Sequence, residues 1–182
     1  MAGKSPAEAV NNFLEPLHKV IDCLTQAQLT VKGGYYPTTE DPHALTLGDG
    51  LPQRLSGATE LYLVVKQFYY VIRVEDPDGL PWKVSTAEYN YNLRDSDNRI
   101  LIAYHWHPAE RYKVRTPHLH LGQGAKVGRQ DLYRVHIPTG RIAIEDLARF
   151  AIKELGVAPR RDDWEEVLSR ARKTYEDRRT WS

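Results

Sequence analysis

The chain reads as an α+β fold: an antiparallel meander of four to five strands, with one helix before it and two after it. Three observations predict this. Segments rich in β-branched and aromatic residues cluster between residues 61 and 137 and are separated by short turn signals. Helical spacing of apolar residues appears only outside that cluster. No linker or internal repeat divides the 182 residues, a length suited to one domain.

The N-terminal helix falls within residues 1–32. Ser5 can cap it, Pro6 suits its first position, and Glu8 completes a capping box. Val10, Leu14, Leu17, Ile21 and Leu24 form its apolar stripe. Pro16 is expected to kink or split it after Glu15. Residues 33–60 hold several Pro and Gly and few periodic apolar positions, so they read as a loop or arm. His43 is expected there as a solvated loop histidine.

The sheet occupies residues 61–137. Leu61 to Glu75 reads as a strand, followed by a turn at Asp76-Pro77-Asp78-Gly79. Trp82 to Leu93 follows, and its alternation changes phase near Ala87-Glu88, which predicts a bulge. A turn over 94–98 leads to a strand from Arg99 to His107, and Val114 to Gly122 is the next. Tyr133 to Ile137 is expected as a short fifth strand. Residues 141–179 hold the two C-terminal helices. Ile144, Leu147, Ala148, Ala151 and Leu155 mark the first, stopped by Gly156. Trp164, Val167, Leu168, Ala171 and Tyr175 mark the second, ahead of a basic tail over 178–182.

Composition narrows the function classes. Hydrophobic residues make up 41% and charged residues 27%, which excludes disordered and low-complexity classes. With 25 basic and 24 acidic residues the net charge is +1, so no global field draws the chain to nucleic acid or membrane. The first residues lack a signal-type apolar core, and no run of about 18 apolar residues exists. A single cysteine, Cys23, forms no intrachain disulfide and reads as a small core residue. Together these predict a cytoplasmic protein with no membrane partner.

One segment carries chemistry. Five of the seven histidines lie between residues 105 and 136, four of them as His105-Trp106-His107 and His118-Leu119-His120. Residues two apart on a strand share a face, so each pair points one way. An antiparallel register with 105 opposite 120 and 107 opposite 118 unites all four rings, with opposed Cβ atoms about 5 Å apart. A slip by one residue would separate them. His136, near a helix start, reads as structural, and His18 has no assigned role.

Three readings follow. In the first, the four histidines act as acid and base on a phosphodiester, as in RNA cleavage without metal, and Arg111, Arg115 and Arg141 hold the phosphate. Arg141 is expected at a helix start, where backbone N–H groups favour an anion. In the second, His105, His107, His118 and His120 bind a divalent transition metal such as zinc, completed by Glu110 or by Glu88 on a neighbouring strand. In the third, the histidines only pack, and the protein is a non-catalytic interaction module, with a homodimer through the arm as one arrangement.

Tyr104-His105-Trp106-His107, then Arg115, then Pro117-His118-Leu119-His120-Leu121-Gly122 resemble the TumE family of bacterial toxin–antitoxin toxins. The resemblance covers about half of the chain. The N-terminal extension through Ser56 and the last helix depart from it, as does a missing Arg-Asp dipeptide ahead of the last histidine segment. It implies a bacterial cytosolic protein, an RNA-directed toxin activity and a cognate antitoxin as partner. Two other families with His-x-His repeats do not match. The two-histidine phosphoesterases carry Thr or Ser in the second place, and histidine-triad hydrolases need a third alternating histidine where Gly122 stands.

Overall fold

A computed structural model describes residues 1–58, 60–75 and 79–176. The class is the expected α+β, but the sheet has nine strands rather than four to five. Every strand pair is antiparallel.

A two-residue strand β1 (Ala2–Gly3) precedes helix α1 (Pro6–Asp22). The Glu8 N–H donates to Ser5 Oγ at 3.2 Å, and the Lys4 N–H donates to the Glu8 carboxylate at 2.8 Å. The helix runs through Pro16 without splitting. Phe13 and Leu14 before it, and Leu17, Val20 and Ile21 after it, are all buried. Their burial, worth about 1.5–3 kcal/mol per side chain, outweighs the roughly 3 kcal/mol cost of an interior proline.

The expected arm contributes two strands, and the end of the segment expected as helix contributes another. β2 (Leu29–Lys32), β3 (Thr38–Leu47) and β4 (Gln53–Arg54) all join the sheet. His43, Leu45 and Leu47 alternate inward and are fully buried. His43 is therefore a core residue, not a solvated one, and its Nε2 lies 2.8 Å from the Tyr36 carbonyl. Only three inward positions carry the period, and one is a histidine, so the alternation is faint beside the Pro and Gly around it.

β5 (Tyr62–Arg73) and β6 (Trp82–Arg94) form the longest pair. Phe68 opposes Glu88 and Tyr69 opposes Thr86, so Ala87 is the extra residue of the expected bulge. β7 (Ile100–Trp106) and β8 (His118–Leu121) follow. Of the expected fifth strand, Tyr133 and Arg134 end a 3₁₀ turn, Gln130–Arg134, and only Ile137 lies in a strand, β9 (Ile137–Pro138), which pairs with β8. The sheet order is β2-β3-β5-β6-β7-β8-β9, with β1 on β6 and β4 on β5.

Helix α2 (Ile144–Leu155) ends at Gly156, whose φ of 71° is the left-handed cap that glycine tolerates. Helix α3 is Trp164–Glu176. The helices cover one sheet face, where Leu63, Val65, Tyr69, Tyr89, Tyr91, Leu93 and Trp106 join their apolar residues in the core. The histidine pairs point to the other face. Among the described residues, no helix is long and apolar enough to cross a membrane. Asp76, Pro77 and Asp78 of the expected turn, the tail 178–182 and the Tyr175 side chain lie outside the described residues.

Candidate metal centre

The site begins with alternation on β7. Ile102, Tyr104 and Trp106 face the helices, so His105 and His107 face away from them. β8 brings His118 and His120 to the same side, but in a register different from the expected one. His105 opposes His118, and His120 opposes Ala103. The shift is two residues, an even number, so it changes partners and preserves the face.

Two local features explain this register. The Gly122 N–H donates to the Leu101 carbonyl at 2.9 Å. A Cβ at Gly122 would lie 2.0 Å from the Ile100 carbonyl oxygen, so the backbones meet closely there and only glycine fits. At the other end β8 starts at His118, after Pro117, which has no N–H for a ladder bond. His107 lies past the end of β7 and has no partner on β8.

The rings of His105, His118 and His120 are mutual neighbours. Their centroids are 5.7 Å apart for 105–118, 5.1 Å for 105–120 and 5.0 Å for 118–120. One ligating nitrogen from each lies within 4.8 Å of the others. A tetrahedral zinc site with Zn–N bonds of about 2.1 Å needs nitrogens about 3.4 Å apart, so modest ring rotation closes the set around one ion. His118 is only 3% exposed. Its Nδ1 lies 2.8 Å from the Thr116 carbonyl, which can only accept, so Nδ1 donates there and Nε2 is the nitrogen turned to the other rings' side of the bond. The Val135 backbone acts on His120 in the opposite sense to its histidine neighbours, favouring the protonated ring. An imidazole ligand whose other nitrogen bonds a backbone carbonyl, as His118 does, is the usual arrangement around a metal site.

The electrostatics favour neutral rings. Burial, then the neighbouring His120, His107, His118 and His136, pull His105 down to about 4. Burial, then His136 and His118, also lower His120. Both rings are neutral at pH 7, the state in which a nitrogen lone pair can coordinate.

The other expected participants stand outside the three-ligand group, although the His107 ring packs 5.4 Å from that of His105. His107 stacks on Tyr112 at 4.6 Å, and its Nδ1 is 3.6 Å from a Glu88 oxygen, beyond hydrogen-bond range. That Nδ1 is buried and makes no hydrogen bond. Glu110 is almost fully exposed, with an oxygen 4.0 Å from Arg115, and does not join the ligand group. Arg111 lies over the Tyr112 ring at 5.0 Å and so continues the stack outward from His107. Arg141 is on the opposite sheet face, with its guanidinium 3.6 Å from the Trp106 ring centre. It also precedes α2 by three residues, so the helix-start anion site expected of it does not form.

His136 is the residue that sequence reasoning misplaced. It packs 4.3 Å from the His120 ring and 4.9 Å from His118, and is exposed at the edge of the patch. The only signal for it in the chain is the crowding of five histidines into one segment. The 3₁₀ turn and β9 bring it alongside β8. Compared with family models, with curated proteins and with solved structures, the chain gives no match.

Proposed function

We propose that the protein binds one divalent transition metal ion of the zinc class through His105, His118 and His120, with further coordination positions open toward His136 and solvent. The observation that carries this reading is the convergence of three imidazole nitrogens within 4.8 Å. The His118 ring is also held by a backbone hydrogen bond. Three protein ligands with an open position are the arrangement of hydrolytic rather than purely structural zinc sites. A bound ion there supplies Lewis acidity. The chain itself favours the neutral form of His105 and His120 and orients His118 through the Thr116 carbonyl. Hydrolysis of a small or polymeric ester is the activity this arrangement fits.

A second reading keeps the histidines as metal-free acid and base on RNA, in keeping with the resemblance to bacterial toxins held in check by an antitoxin. The feature in its favour is the Arg111–Tyr112–His107 stack, which presents a cation beside the patch. Arg141 on the far face weighs against it.

Equilibrium dialysis against Zn²⁺ and Co²⁺, followed by elemental analysis, separates the two. The metal reading expects one ion per chain and a visible Co²⁺ spectrum that His118→Ala removes. Folded protein that takes up neither ion overturns it. Chelator-resistant RNA cleavage abolished by His105→Ala would install the second reading instead.

A further inference from the structure

His136 stands outside the three-ligand group yet neighbours two of its members. Its ring centroid is 4.3 Å from that of His120 and 4.9 Å from that of His118. Two imidazoles on one tetrahedral zinc, with Zn–N bonds of about 2.1 Å, have centroids roughly 5 Å apart. The spacings inside the group and those from His136 to it all fall within about 1 Å of that value. His107 does not share this position. Its ring meets His105 at 5.4 Å and is otherwise stacked on Tyr112.

The segment that carries His136 differs from the strands that carry the other three. Between Gly124 and Ala143 no residue is buried, and both Val135 and His136 are exposed. Several hydrogen bonds of this stretch run within it. The Leu132 N–H donates to the Arg129 carbonyl at 3.2 Å, the Val135 N–H to the Leu132 carbonyl at 3.3 Å and the Tyr133 hydroxyl to the Val127 carbonyl at 3.0 Å. It is tied to β8 by the two residue pairs of β9, and the Thr139 N–H donates to the Pro117 carbonyl at 3.0 Å. One of those pairs holds Pro138, which has no N–H to give. The Val135 backbone also acts on the His120 ring. A surface stretch with few buried groups and a short ladder opens at a lower free energy than a central strand pair. Residues 126–140 thus form a strap that rests beside the three rings and can lift while β7 and β8 stay paired.

We propose that His136 is a displaceable fourth ligand of the ion held by His105, His118 and His120, so that the strap closes and opens the centre. This rests on the metal reading above, since the strap has nothing to latch onto without an ion. With the strap down, four imidazoles fill a tetrahedral shell, as in a structural site. With it lifted, three remain and the fourth position takes water or a substrate oxygen. The exchange breaks one metal–nitrogen bond and forms one bond to the incoming donor, with no change of oxidation state. An internal ligand also weakens binding of any outside one, in proportion to the fraction of time the position is open.

The full chain loaded with Zn²⁺ or Co²⁺ tests this. Long-range ¹H–¹⁵N NMR of the histidine rings in the Zn²⁺ form reports which nitrogens coordinate. Four rings are expected to coordinate in the natural chain, His136 among them, and three in His136→Ala. Azide titration of the Co²⁺ form, followed in the visible spectrum, reports access to the ion. His136→Ala should respond at about tenfold lower azide than the natural chain, the factor for a position open roughly a tenth of the time. His107→Ala should respond as the natural chain does. Saturating azide should release His136 in the natural Zn²⁺ form and leave the other three rings coordinated. Three coordinating rings in the natural chain, an equal azide response in His136→Ala, or His136 still coordinated at saturating azide would each overturn the latch and leave the three-histidine site standing. Folded protein that binds neither ion would overturn that site and the latch together.

Discussion

His105 and His118 face one another across β7 and β8, with ring centroids 5.7 Å apart, because Gly122 meets the Ile100 carbonyl at the far end of the same ladder. One close backbone approach therefore sets which imidazoles become neighbours. That relationship links the stability of a sheet edge to the composition of the candidate site.

Gly122→Ala is expected to destabilise the protein by about 1–3 kcal/mol, the range for overpacking a site that cannot expand, and to weaken metal uptake at the same time. Urea denaturation and Co²⁺ titration check the two effects. A variant with unchanged midpoint and unchanged Co²⁺ spectrum would remove Gly122 as the pin of the register.

Substitution of the histidines should not be uniform. His105→Ala and His120→Ala are expected to weaken Zn²⁺ binding at least 100-fold, measured by competition with a chromophoric chelator. His107→Ala should change it less than fivefold, because His107 stacks on Tyr112 outside the three-ring group. Equal losses at all three positions would contradict the observed register.

Burial raises the Glu145 carboxyl from 4.5 to about 7, with Asp146 adding to the rise and Arg172 opposing it. Between these values the native state keeps a proton that the unfolded chain has released. Stability from this group is thus complete below about pH 4.5 and is lost as pH rises through 7, by about 3 kcal/mol in total. Glu145→Gln should flatten that loss. His105 acts with the opposite sign, since its lowered value makes stability fall as pH drops from 6.5 toward 4. The difference in urea midpoint between the natural chain and Glu145→Gln at pH 5 and pH 8 isolates the carboxyl. The expected result is that Glu145→Gln gains on the natural chain at pH 8.

Tyr91→Phe removes the hydroxyl that donates to Gln67 at 2.5 Å and leaves the buried Gln67 carbonyl oxygen without that donor. The expected cost is about 1–3 kcal/mol, the penalty of an unsatisfied buried acceptor. Thermal unfolding of the variant measures it, and a cost under 0.5 kcal/mol would show that water replaces the hydroxyl.

Much of this protein is legible in the chain itself. The caps and apolar stripes of α1 and α2, the alternation of β5 to β7 and the phase change at Ala87 are local patterns, and local patterns survive in the sequence. That each His-x-His pair keeps to one sheet face follows from the same alternation. What tertiary structure decided is pairing between segments. The register of His105 with His118, the arrival of His136 beside His120, the departure of Arg141 to the far face and the recruitment of residues 33–56 into strands all depend on partners remote along the chain. A segment's own periodicity says which side a residue takes. Only contact with another backbone, as at Gly122 and Ile100, says what stands opposite.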